Sequence, residues 1–111
     1  MSQEIDHREI WDTAIASDLV GKILLVGASY FSADGTFIEQ EQFYGRVLSA
    51  STDEGIVLEL EGSRLGEEFT LPPDTRSIYR AAAGEYKLRS TGEVVVDPDF
   101  TATYNVQKHA G

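Results

Sequence analysis

Gly21-Lys22-Ile23-Leu24-Leu25-Val26-Gly27-Ala28-Ser29-Tyr30-Phe31, then Ser32-Ala33-Asp34-Gly35, then Thr36-Phe37-Ile38-Glu39-Gln40-Glu41-Gln42-Phe43-Tyr44-Gly45-Arg46-Val47-Leu48-Ser49, is the stretch that decides the fold. Lys22 to Phe31 carries apolar side chains on both faces of a strand, the pattern of a central or strongly bent strand. Gly27 inside it predicts a bulge or a sharp bend. Asp34-Gly35 is a hairpin turn signal between apolar flanks. Thr36 to Ser49 returns as a second strand. Its polar run Glu39-Gln40-Glu41-Gln42 predicts a hairpin tip that projects into solvent. Phe43, Gly45 and Val47 fall on one face; Tyr44, Arg46 and Leu48 fall on the other.

Downstream, Asp53-Glu54-Gly55 is a turn, and Ile56, Leu58 and Leu60 then alternate with Val57, Glu59 and Glu61 as a half-buried strand. Gly62 to Gly66 reads as a loop. Glu67 to Leu71 reads as a short strand with Phe69 and Leu71 inward, stopped by Pro72-Pro73, which have no amide to give a ladder. Ile78 and Tyr79 sit in an irregular connection or a single helical turn. Glu85 to Ser90 is a strand with Tyr86 and Leu88 on one face. Thr91-Gly92 turns it into Glu93–Val96, which ends at Asp97-Pro98-Asp99. Phe100, Ala102, Tyr104 and Val106 alternate with polar residues in a last strand, followed by a frayed tail from 107 to 111.

Upstream, the sequence predicts one helix over about 6–18. Asp6 and Glu9 have capping-box spacing, and Ile10, Trp11, Ala14 and Ile15 share one helical face. Trp11 is assigned to core packing.

A chain of 111 residues makes one domain. With 41% hydrophobic and 10% aromatic residues it has the material for a core, which excludes a disordered chain. The absence of cysteine excludes disulfides, a thiol nucleophile and thiolate metal sites. A formal net charge of -10 opposes phosphate-backbone binding by the surface as a whole. No basic, apolar leader starts the chain. Its longest apolar run, Ile23 to Val26, is far short of the roughly 20 residues that span a bilayer. The expected location is the cytoplasm, with no membrane contact.

Six to eight short strands with tight turns, after one helix, predict a mainly β chain: a small antiparallel barrel or rolled sheet over about 21–106. Bends at Gly27 and Gly45 are what closing such a barrel requires. The order Gly21-Lys22-strand, Phe43-Tyr44-Gly45-Arg46-Val47-Leu48, Asp53 turn, Ile56-Val57-Leu58-Glu59-Leu60 resembles the first motif of the Sm-like barrels, and SH3-like barrels share the same strand logic. The resemblance implies a small barrel and, in its Sm-like form, an oligomer that binds nucleic acid. The hairpin is longer than in that family, Glu54 or Gly55 stands where its RNA-contacting Asn is expected, and its Arg-Gly second motif is absent. The chain also resembles a group of small acidic bacterial proteins of uncharacterised activity, through Leu71-Pro72-Pro73-Asp74 and Arg89-Ser90-Thr91-Gly92-Glu93.

Enzymatic motifs are absent. No nucleophile elbow occurs, and His7 and His109 have no placed partner, so no catalytic residue is assigned. Gly62-Ser63-Arg64-Leu65-Gly66 lacks the residues of a phosphate loop. No cofactor is expected. Glu93, Asp97 and Asp99 are candidate oxygen ligands for a divalent cation, although an Asp-Pro-Asp sequence also serves as a plain turn. Charge is the most informative feature. Residues 34–68 hold nine acids and two bases, a balance of -7, whereas 76–89 hold Arg76, Arg80, Lys87 and Arg89 against Glu85. Either the two segments pair within the fold, or the surface is bipolar and meets a charged partner or another copy of itself. The aromatics Tyr30, Phe31, Phe37, Phe43 and Tyr44 sit on both faces of one hairpin, so some are either exposed as a contact patch or covered by the helix. The resulting expectation is a non-enzymatic protein-binding module, one form of which neutralises a basic protein. Its candidate contact residues are Phe37, Tyr44, Arg46, Arg76, Arg80 and Arg89. The alternatives are an Sm-like nucleic-acid-binding oligomer and a barrel that binds a small ligand or cation.

Overall fold

A computed structural model describes residues 9–107. The chain is mainly β. One helix, α1 (Thr13–Leu19), precedes β1 (Ile23–Phe31), β2 (Phe37–Ser51), β3 (Gly55–Leu60), a 3-10 turn at Gly62–Arg64, β4 (Glu68–Leu71), β5 (Ile78–Arg80), β6 (Glu85–Lys87), β7 (Val94–Val96) and β8 (Phe100–Gln107). Six strands form one sheet in the order β4-β3-β2-β1-β8-β5, and β6 and β7 form a separate hairpin.

β1 is central, as its two apolar faces require. It pairs antiparallel with β2, from Ile23 opposite Arg46 to Tyr30 opposite Glu39. On its other side it pairs with β8 in parallel, from Leu24 beside Phe100 to Phe31 beside Gln107. The expected small antiparallel barrel or rolled sheet holds as a mainly β chain, with one correction, that the sheet is mixed; β4 and β5 stand at its two ends and do not pair. The parallel start is set by Asp99. Its amide donates to the Ile23 carbonyl at 3.0 Å and its carboxylate accepts from the Ile23 amide at 2.9 Å, which locks the two strand starts side by side.

Leu24, Val26 and Ala28 of β1 meet Phe43 and Val47 of β2, Ile56, Leu58 and Leu60 of β3, Leu71, Ile78, Phe100 and Ala102 on one face, the main core. Leu19 of α1 is buried there, with Trp11 and Ile15 packed against it. The opposite face holds a smaller cluster, Leu25 with Leu88 and Val95, which Tyr44 and Tyr86 flank. The β6–β7 hairpin therefore covers the second face of β1, and the pairs of the sequence pattern find a partner layer on each side.

Several details differ from the sequence expectation. The helix starts at Thr13 because Asp12 caps it: its carboxylate accepts from the amides of Ala14 at 2.9 Å and Ile15 at 3.2 Å. Glu9 is not helical, and Asp6 lies outside the described residues, as does most of the tail. Ile78 to Arg80 is a strand, because it lies antiparallel along Phe100–Ala102. Gly27 pairs regularly on both sides; the register shifts instead occur at Tyr30/Phe31 and at Val47/Ser49, where Ile38 and Leu48 are the extra residues. Among the described residues, no helix is long and apolar enough to cross a membrane.

Candidate functional site

The sheet face turned away from the main core carries a row of charge. Ile23 stands opposite Arg46, Arg46 opposite Glu59, and Glu59 opposite Glu68. Two carboxylates directly across an antiparallel pair repel each other. Period-two alternation puts them there, since Leu58, Leu60 and Phe69 take the inward positions. Of the nine acids in residues 34–68, Asp34, Glu39, Asp53, Glu54, Glu59, Glu67 and Glu68 are exposed, and Glu41 and Glu61 are partly so. Arg64 approaches Glu67 at 2.9 Å and Glu41 at 4.0 Å, while its guanidinium lies over the rings of Phe43 and Phe69.

Two of the four bases of the basic stretch pair elsewhere. Arg76 forks onto Asp74, with bonds of 3.0 and 2.7 Å. Arg80 pairs with Asp18 of α1 and lies over the Phe100 ring, 5.1 Å from its centroid. Lys87 and Arg89 form no ion pair with a described residue; the Arg89 main-chain amide donates to the Gln42 side chain. Arg46 donates to the Gly21 carbonyl at 2.7 Å.

The candidate contact residues do not form one patch. Arg46 lies on the outer face, Arg80 reaches the ring of a core residue, and Arg76 sits in the connection before β5. Tyr44 is half-buried under the β6–β7 hairpin, where burial first, then Glu93 and Glu61, raise its phenol pKa. Phe37 is 56% exposed at the tip, and its ring meets Phe31 edge-on with centroids 5.7 Å apart. The hairpin aromatics thus divide: Phe43 is in the core, Tyr44 under a second hairpin, and Phe37 in solvent. Tyr30 donates to Glu41 at 2.9 Å, and burial, that bond and the carboxylate charge push its pKa up to about 12. At the tip, the Asp34 carboxylate accepts from the Ser32 hydroxyl and from Thr36, which pull its pKa down to about 2.

The three candidate metal ligands are held apart by separate duties. Glu93 accepts from the Ser63 amide at 2.8 Å, the Ser63 hydroxyl at 3.1 Å and Thr91 at 3.0 Å, tying the β6–β7 hairpin to the 3-10 turn. Asp97, in a left-handed conformation with φ of 50°, accepts from the Gly84 amide at 2.7 Å. Asp99 clamps β8 to β1. Among the described residues, no three His, Asp or Glu side chains form a group that could hold a metal. His7 and His109 lie outside the described residues. An open cleft of about 390 Å³ is lined by Asp74, Arg76, Ser77, Tyr79 and Thr103. Its one acid and one base are bonded to each other.

Sequence reasoning missed Gln42, whose side chain and main chain both bind the loop after β6, and Ser90, which meets it. Neither residue type carries a signal without the register. No family profile, curated protein or solved structure matches the chain.

Proposed function

We propose that this chain is a non-enzymatic module that binds a basic protein through the acidic side formed by β2, β3 and β4, and that it acts in the cytoplasm. The observation that carries the reading is the fate of the charges. Among the described residues, Arg76 pairs with Asp74 and Arg80 with Asp18, and Glu59 is set directly opposite Glu68. An arrangement that sets like charges opposite each other is relieved when a cationic surface docks. A kinship with the Sm- or SH3-like barrels draws support from the β1–β2–β3–β4 meander and the bulge in β2; the parallel β8 is foreign to it.

The test is capture of partners by the tagged chain, with and without nuclease, beside a Glu59→Lys/Glu68→Lys variant of the outer face. The expected result is a stoichiometric basic protein that survives nuclease, elutes with salt and is lost with the variant. Dependence on nucleic acid, or equal capture by the variant, overturns the reading.

A further inference from the structure

β2 is longer than the strand beside it. Its pairing with β3 begins only at Gly45 opposite Leu60, so Phe37 to Gln42 run along β1 on one side, with Ile38 as the extra residue, and among the described residues have no strand on the other. The direction of the free groups follows from the neighbours. The Tyr44 carbonyl faces outward, since it accepts from the Glu61 amide at 2.9 Å. Two residues earlier, the main chain of Gln42 also faces outward: the Ser90 hydroxyl accepts from its amide at 3.2 Å and donates to its carbonyl at 3.4 Å. One side chain there does the work of a missing strand. Strand alternation turns the main-chain amide and carbonyl of Gln40 the same way, and no described group meets them. An exposed edge of this kind is a template for an added strand.

We infer that this edge, from Phe37 to Glu41, receives an extended segment of the partner as an added β-strand, and that this segment carries Lys or Arg at alternate positions. The inference rests on the proposed binding of a basic protein. Glu39 and Glu41 stand on one face of the edge, opposite Tyr30 and Ala28, two residues apart. Cations at alternate positions of an added strand come level with both carboxylates. An apolar residue at its end lies on the exposed Phe37 ring. A second copy of this chain is a poor occupant: pairing antiparallel about Gln40, it sets Glu39 of one copy against Glu41 of the other. The main chain then supplies affinity, and the alternate side chains supply selectivity.

The test uses the whole folded chain and the labelled, end-blocked peptide Lys-Val-Lys-Val-Lys-Val, with Glu-Val-Glu-Val-Glu-Val as control. Gln40→Pro removes the outward amide without removing a ladder bond to β1, a substitution that edge strands accept. The expected results are binding of the lysine peptide alone, weakening by about tenfold or more in Gln40→Pro, and slowed hydrogen exchange at the Gln40 amide of the unmodified chain. That last measurement needs no variant. Binding of the lysine peptide with unchanged affinity in Gln40→Pro and no protection at Gln40 overturns the edge while leaving the basic-protein reading intact. No binding at about 1 mM peptide overturns the edge and removes the support for that reading together.

Discussion

A β-carbon at position 45 would stand 2.3 Å from the Glu59 carbonyl oxygen, closer than any real contact, and the obstacle is main chain that cannot rotate aside. Gly45 is therefore fixed by the close approach of β2 to β3. Gly45→Ala is expected to cost about 3 kcal/mol in urea unfolding. Gly27→Ala is the control: its new methyl meets only Thr103 Cγ2 at 3.9 Å, so the change should stay within about 0.5 kcal/mol. Thr75 is the buried polar residue of the described chain that no pattern pointed to. Its hydroxyl accepts from the Asp12 amide at 2.8 Å and donates to the Ile10 carbonyl at 3.2 Å, holding the residue that caps α1. Thr75→Val keeps the shape and orphans that amide, so a loss of about 1–3 kcal/mol is expected from the midpoint of thermal unfolding. The Asp34 carboxylate at the hairpin tip is hydrogen-bonded when ionised, which lowers its pKa to about 2. Its contribution to tip order is present above the ordinary carboxylate pKa of about 4 and is lost as pH falls through about 2. The Thr36 amide resonance should titrate over that range.

At the scale of elements, the β6–β7 hairpin is a lid on the second face of the sheet, attached through few contacts. Leu88 and Val95 pack on Leu25, Glu93 ties the turn to Ser63, and Ser90 and Arg89 meet Gln42. Leu88 is fully buried. Leu88→Ala is expected to cost about 3 kcal/mol and to act locally. Hydrogen exchange should quicken at Val94 to Val96 while Leu24 to Val26 stay protected; uniform acceleration throughout the sheet would show that the hairpin is part of one cooperative core instead. The sequence located this hairpin to within a few residues through Tyr86, Leu88 and the Thr91-Gly92 turn. It placed the hairpin in the same sheet as the rest, because a strand pattern states which face is apolar and does not state which surface that face meets.

At the scale of the molecule, two phenols report the pH at which the packing fails. Tyr104 is largely buried, donates to the Asp74 carbonyl at 3.0 Å, and burial pushes its pKa up to about 12, as for Tyr30. A raised folded-state pKa means that the folded chain keeps the proton the unfolded chain has lost. This stabilisation is fully present below the unfolded value near 10 and is lost as pH rises through about 12. Melting temperature should fall steeply between those values, and Tyr30→Phe/Tyr104→Phe should flatten the fall. Absorbance of the phenolates, followed beside circular dichroism, checks that ionisation and unfolding coincide.

Local chemistry alone set every strand but β5, their inward residues and the acidic surface. Period-two alternation gave Ile56, Leu58 and Leu60 to the core, Asp34-Gly35 gave the hairpin, and the charge imbalance of residues 34–68 was countable. Tertiary structure decided how these pieces close. The parallel docking of β8 on β1 depends on the Asp99 clamp to Ile23, 76 residues away in sequence. The destination of Arg80 depends on α1 lying across the core, and the open edge of β2 depends on where β3 begins to pair. Each is a long-range registration. A periodic pattern specifies the faces of a strand, whereas its neighbour, direction and overhang are set by the free energy of the whole packed sheet.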